Sequence, residues 1–531
     1  MSVILTTHLV LQPFLMEYKF RRKIFRHDNM KQKKCIILLL SIFTIALLPF
    51  MGICDTNVSG NQSGTWSLAG SPYFVVGDVT VPSGNSLIIE PGVMVEVQGN
   101  FRITAEGFIT ALGTISDSIK FYGQGITTWE GIRLEDEVNQ STFCYCRISN
   151  TAGTNGYGIH SVNAEVIIQN CSFDNHRKAV HFSAMSDVNP SYMEISDSYI
   201  TTCEQCGILI TENSNAIVDD CEITACGQGT SYWPGIQLSV QTSTGECNPA
   251  ILNNHIHHNS KQGITLANIY NYGEVAPYVE NNTIEYNLTG IYLYNGQGYY
   301  KNNDICNNFI AGNPDSGAGV MLYGSGTNGT FVLNEVAFNF CGFYCINNAT
   351  SNLGDLGNLN MNDDGKNYIH DNIDGTGTTF SVYNGSPLDM KAENNSWDSE
   401  NYTEIAETII DGNDNPSYGI VDFDPIYSGV AQDPQTEEAV CNLIGNVPNP
   451  FTNSTMISFS LASQAHVLID IFNLKGQKIR SILSSYFDSG SHSMTWNGKN
   501  DADQEVPTGI YFYNLKVNNE VTYTGKCVLI K

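Results

Sequence analysis

Four titratable side chains stand at fixed offsets from a recurring phrase in which glycine precedes an apolar residue. Arg133 and Glu135 lie two and four residues after Gly131, His160 two after Gly158, and His181 two after Ala179, which takes the glycine position. Alternate residues of a strand share a face, so these groups gather a guanidinium, a carboxylate and two imidazoles over three neighbouring strands, the equipment of general acid–base chemistry. The same offsets select Tyr292, Tyr294 and Tyr323, with Tyr299 and Tyr300 close by in the chain. Tyrosines in such a strip stack their apolar faces on sugar rings. Tyrosine is also a good strand residue with one wet end, and the two readings weigh about evenly.

Other residues offer weaker chemistry. Asn358, Asn360, Asn362, Asp363 and Asp364, followed by Gly365, present oxygen ligands at alternating positions and could hold calcium, although the terminal Glu of a helix-loop-helix calcium site is missing and a polar turn accounts for them equally. Cys203-x-x-Cys206 lacks a second ligand pair at zinc-finger spacing. His255, His257 and His258 read as surface residues. Asp219-Asp220 precedes an inward cysteine and reads as structural.

The elements that must position these residues form a repeat. The glycine phrase recurs at 131, 158, 207, 235, 263, 290, 319 and 342, with Ala179 filling one gap, at spacings of 27, 21, 28, 28, 28, 27, 29 and 23. A period with loop-length scatter is the mark of a solenoid. A second phrase runs in step: Cys146/Ile148, Cys171/Phe173, Ser198/Ile200, Cys221/Ile223, Asn254/Ile256, Asn282/Ile284, Asn303/Ile305, Asn334/Val336, Asn367/Ile369 and Asn395/Trp397. Five residues beyond its first member come Cys203, Cys226, Asn259, Asn287, Asn308, Asn339 and Asn372, read as a turn ladder. Stacked coils place equivalent residues about 4.8 Å apart, so amides can bond up and down the stack, and asparagine tolerates the left-handed backbone of a sharp corner. Cys146 with Cys171 and Cys203 with Cys226 fall on adjacent rungs, as stacked free thiols or as cross-stack disulfides.

Together with Gly64-Thr65-Trp66, Ile88 to Gly92 and Trp129 to Ile132, these rungs resemble the right-handed β-helix repeat, or pectate-lyase-like, superfamily over roughly residues 60–430. The resemblance implies an all-β chain, a right-handed parallel β-helix solenoid. It leaves activity open, since that fold serves lyases, hydrolases, epimerases and adhesins.

The charge balance changes near residue 441: residues 55–440 carry 10 Lys+Arg and 45 Asp+Glu, residues 441–531 carry 7 and 6. After a polar linker at 431–440, short alternating strands over 441–531 suggest a small immunoglobulin-like β-sandwich. Val447 to Phe451, Phe472 to Gln477, Trp496-Asn497-Gly498 and Pro507 to Tyr511 resemble the type A C-terminal sorting domain of the type IX secretion system, which implies that secretion machinery as a partner. At the other end, Lys31, Lys33 and Lys34 precede the apolar run Ile36 to Leu48, so 30–54 reads as a signal peptide and 1–29 as an upstream extension from a misplaced start codon. A net charge of −28 argues against nucleic acid as a partner, and the apolar run is short for a membrane span.

The expectation is therefore an exported, cell-surface or secreted protein that binds glycans or other surface polymers. The alternative is a carbohydrate-active enzyme, a polysaccharide lyase or glycoside hydrolase. The paired acids of Asp219-Asp220 lack the downstream motifs of pectin hydrolases, and no Asp cluster joins a Lys or Arg base on the ladder. Apart from calcium, no cofactor is expected.

Overall fold

The computed structural model describes residues 55–427 and 441–529, apart from short segments at 126–127, 136–138, 152–155, 185–191, 214, 232, 309–316, 374–376, 448–450, 462–463, 474–477, 508 and 518–520. The expected signal peptide, upstream extension and linker lie outside the described residues, as do parts of the tail motifs around residues 448–450 and 474–477. Among the described residues no helix is long and apolar enough to cross a membrane.

From Thr56 to Asp422 the chain winds as coils of three short parallel strands. Face one holds strands such as Cys146–Thr151, Ser172–His176 and Tyr199–Cys203. Face two holds Gly131–Glu135, Tyr157–Val162, Lys178–Ser183 and their successors as far as Ile409–Ile410. Face three is a 14-stranded sheet running from Gly64–Trp66 to Val421–Asp422. Faces one and two are joined through the long strand Tyr73–Val81, whose two ends pair with one strand of each. Every strand of the coil pairs only with its equivalents above and below, so the register is set by the repeat.

The interior is lined by identical rows. On face two Ile132, Ile159, Val180, Ile208, Ile236, Ile264, Ile291 and Val320 stack in register, all buried. The glycine that precedes all of these but Val180 has a steric cause. A Cβ on Gly290 would stand 2.5 Å from the carbonyl oxygen of Gly319 in the next coil.

Two tight corners shape each coil, and each uses one residue in the left-handed region. Between faces three and one these are Tyr145, Asn170, Asp197, Asp220, Asn253, Asn281, Asn302, Leu333, Lys366 and Asn394; between faces one and two they include Asn150, Asn175, His258, Tyr286, Asn307, Phe338 and Asp371. The ladder asparagines follow these corner residues and do not adopt the left-handed conformation themselves, which corrects that part of the sequence reading, while the stacked amide bonds it expects are present. Their work is hydrogen bonding. The Asn254 N–H and Nδ2–H both donate to Asn282 Oδ1 at 2.9 Å, while Asn282 Nδ2 donates to the Ile251 carbonyl. The pattern continues through Asn303, Asn334, Asn367 and Asn395, and a second ladder runs from Asn259 through Asn287, Asn308 and Asn339 to Asn372. Toward the N-terminus other side chains replace the amide: the Cys146 N–H donates to Cys171 Sγ and the Cys171 N–H to Ser198 Oγ. The described cysteines are free thiols, so the adjacent pairs are packing rungs.

Residues 441–529 form a three-stranded and a four-stranded antiparallel sheet. Inward alternation of Ile457, Phe459, Val467, Ile469, Ile471 and Leu515 builds their shared core around Trp496.

Asn303 sits mid-ladder, fully engaged and buried. Replacing it by Ala leaves the Asn282 N–H and the Val279 carbonyl without their partner. The expected cost is about 3 kcal/mol, read as a lowered denaturant midpoint for Asn303→Ala.

Candidate functional site on face two

All four acid–base candidates and three of the tyrosines project outward from face two. Pairing in register runs Arg133, His160, His181, Leu209, Gln237, Thr265, Tyr292, Met321, Tyr344 and Tyr383, one residue per coil. At ~4.8 Å per coil that row is about 43 Å long. A parallel row holds Glu135, Val162, Ser183, Thr211, Ser239, Ala267, Tyr294, Tyr323 and Ile346.

The N-terminal third of the face is a compact cluster. Arg133 Nε pairs with Glu135 Oε1. The His160 and His181 rings stack at 4.2 Å, and the Tyr157 ring lies 4.7 Å from the first and 5.5 Å from the second. His160 Nε2 meets Ser183 Oγ at 3.2 Å, and that hydroxyl donates to the Ser161 carbonyl. The hydroxyl proton being committed, His160 donates from Nε2, and its Nδ1 carries the lone pair. His181 Nε2 meets Thr211 Oγ1 at 3.1 Å, and its Nδ1 is buried without a protein partner. Burial, reinforced by Arg133, Lys178 and Arg102, holds His160 down at about 3. Burial and its neighbour His160 hold His181 well below the usual imidazole range. Both rings are neutral bases or acceptors at neutral pH.

Lys178, Tyr157 and Trp233 were not singled out from sequence. The Lys178 ammonium is buried between the Tyr157 and Trp233 rings, 5.0 Å from each centroid, a cation–π arrangement. Tyr157 and Lys178 each stand one residue before the glycine position, a row that the period marks as plainly as the outward ones. Trp233 comes from a loop outside the repeat, where no periodic signal exists.

Trp233 also begins a cleft of 310 Å³ whose walls include Gln237, Gln262, Thr265, Ile269, Tyr292 and Tyr294. Trp233, which covers Lys178 on one side, thus links the N-terminal cluster to the cleft that Tyr292 and Tyr294 line. Beyond it Tyr294 meets Tyr323 edge-on at 4.9 Å, and Tyr344 stacks on Tyr383 at 4.8 Å.

Two of the sequence candidates lie elsewhere. Tyr299 and Tyr300 are on face three, in the strand Tyr299–Lys301. Tyr300 points inward, 0% exposed and stacked on Phe331, so no ligand reaches it. Tyr299 stacks on Tyr278 and donates to the Asn362 carbonyl. Their adjacency in sequence to Tyr292 and Tyr294 is undone by the intervening corner. In the candidate calcium loop several oxygens are engaged locally: Asn358 Oδ1 accepts the Asn360 N–H, Asn360 Oδ1 the Asn362 N–H, and Asp363 Oδ2 accepts from Asn352 and Asn358, while Asp363 Oδ1 is buried without a protein partner. Asp364 contributes its carbonyl to Asn394. The alternating amides build turns there.

The buried imidazoles make a pH prediction. Their folded pKa values lie below the unfolded value of about 6.5, so the unfolded chain binds more protons and stability falls as pH drops through 6.5 toward 3. In thermal melts between pH 7 and 4, His160→Gln with His181→Gln should flatten that slope relative to the parent; an unchanged slope would show that these rings are not its source.

No curated protein matches the chain. Residues 130–298 match the family model described as right handed beta helix region, and residues 445–520 the FlgD Ig-like domain. Among solved structures, the periplasmic alginate epimerase AlgG is 14% identical, covering 70% of this chain and 82% of its own, at a TM-score of 0.43. The Azotobacter vinelandii mannuronan C-5 epimerase AlgE4 A-module is 12% identical, covering 56% and 83%, at 0.35. A mutant tailspike protein of E. coli bacteriophage HK620, solved in complex with pentasaccharide, is 11% identical, covering 79% and 86%, at 0.31. Likenesses at this level carry nothing about individual residues. The chain is an all-β protein, a right-handed parallel β-helix followed by a small immunoglobulin-like β-sandwich.

Proposed function

We propose that this is an exported protein that binds a glycan polymer along face two. The observation that carries the reading is the distribution of charge. In a β-helix segment with 45 acidic and 10 basic residues, the outward rows of face two described above contain one carboxylate, Glu135, and it is paired with Arg133. The acids lie on the other faces, among them Glu222, Glu285, Asp304 and Glu335 on face one and Glu194, Asp219 and Glu280 on face three. Face two is left with imidazoles, amides, hydroxyls and tyrosines around a cleft, the lining that stacks on sugar rings and bonds their hydroxyls. A row repeating once per coil suits a repeating polymer.

A second reading, cleavage of the polymer, rests on the neutral His160 base held between Arg133 and Tyr157. Incubation of the full chain with bacterial, algal and plant polysaccharides separates the two readings. Retention without new oligosaccharides supports binding. Newly formed ends would replace it with catalysis centred on His160. For binding, Tyr292→Ala and Tyr294→Ala should each weaken affinity about tenfold by calorimetry; equal affinity in both variants, or no glycan retained, would sink the proposal.

Residues 441–531 serve in this reading as the address for type IX secretion across an outer membrane. A reporter carrying residues 441–531 should reach the surface or medium in a host with that machinery and stay inside the cell when the machinery is deleted. Equal export in both hosts would remove this role.

A further inference from the structure

Far from the cleft, at the C-terminal end of face one, His370, Asp371 and Asp398 each bring one ligand atom to within 4.8 Å of the others. They belong to neighbouring coils, since Tyr368 pairs with Ser396 and, on its other side, with Glu335. His370 Nδ1 lies 2.9 Å from Asp371 Oδ2, and its Nε2 lies 3.2 Å from Glu335 Oε1. Asp398 is held in place by the Asp371 N–H, which donates to its Oδ1 at 2.8 Å. The imidazole itself is buried, stacked on Tyr368 at 3.8 Å and met edge-on by Phe338 at 5.5 Å, so its orientation is fixed.

This arrangement is more than a patch of acids. A metal-bound histidine almost always donates its second ring N–H to a carboxylate, which sets the tautomer and raises ligand basicity. Glu335 stands at that second nitrogen, on the side of the ring away from the two aspartates. A cleft of 210 Å³, lined by Asp371, Asp398, Ser399, Glu404 and Trp397, opens beside the cluster. The carboxylates of Asp371 and Glu335 at the two ring nitrogens would stabilise a cation bound at Nδ1.

We propose that His370 Nδ1, Asp371 and Asp398 form a binding site for a divalent transition metal of the zinc class, with Glu335 as the positioning residue behind the imidazole and a fourth position open to the cleft. Binding displaces the His370 Nδ1 proton to solvent. The mixed nitrogen and oxygen donors favour zinc-class ions over calcium or magnesium, which prefer oxygen. Because the ligands and Glu335 come from three successive coils, the ion would brace the end of the solenoid.

Titration of the chelator-treated full chain with cobalt(II), and then with competing zinc, tests this. One ion per chain is expected, with ligand-field absorption and no thiolate charge-transfer band. His370→Gln should abolish binding. Asp398→Asn, which keeps its acceptor for the Asp371 N–H, should weaken it, and Glu335→Gln should weaken it about tenfold or more at unchanged stoichiometry. Absence of binding by the parent chain, thiolate bands, or parental affinity in Glu335→Gln and His370→Gln would overturn the site.

Discussion

The structure depends on satisfying buried backbone donors at the corners of the coil. A chain that turns sharply twice per coil points N–H and C=O groups inward at positions where no sheet ladder reaches them, and each left unpaired costs about 1–3 kcal/mol. The asparagine stacks resolve this, because one amide can accept from the coil before and donate both to it and to the coil after. From Asn254 to Asn395 and from Asn259 to Asn372 the bonds are continuous. Each amide is placed by a neighbour in the left-handed region, so turn and ladder are two parts of one device. Low-dielectric surroundings make a complete network of this kind strong and a broken one costly.

With the corners fixed, the faces are free to differ. Stacking in register converts any outward position into a row, and a row of like charges about 4.8 Å apart would repel. The chain distributes its acids over faces one and three, interleaved with histidine and lysine: Lys301 pairs with Glu280, His255 with Glu285 and His257 with Glu222. Face two is kept almost free of carboxylates. That partition gives the cleft its neutral, aromatic character while the protein as a whole stays strongly acidic.

The repeat was legible because parallel stacking demands one side chain per coil at each interior position, and glycine, branched residues and asparagine recur where those demands are strictest. Gly290 is confined by the next carbonyl, Ile291 by the core, Asn303 by its two neighbours. The offsets from glycine located Arg133, His160, His181, Tyr292, Tyr294 and Tyr323 on one face for the same reason. The corner residue escaped notice because it varies: Asn253 and Asn281 look like turn formers, whereas Leu333 and Phe338 occupy equivalent left-handed positions with no compositional cue.

What the sequence determined by itself is the coil, its register and the rows that the register creates, since these follow from spacing and residue type. What only the tertiary structure decided is which rows meet. Tyr299 and Tyr300 follow Tyr294 closely in the chain, yet a corner turns them to another face and buries one of them. Trp233 leaves the repeat to close over Lys178, and Asp398 comes within reach of His370 from the next coil. Such meetings depend on loops and on distances across the stack, quantities that no period in a linear sequence encodes.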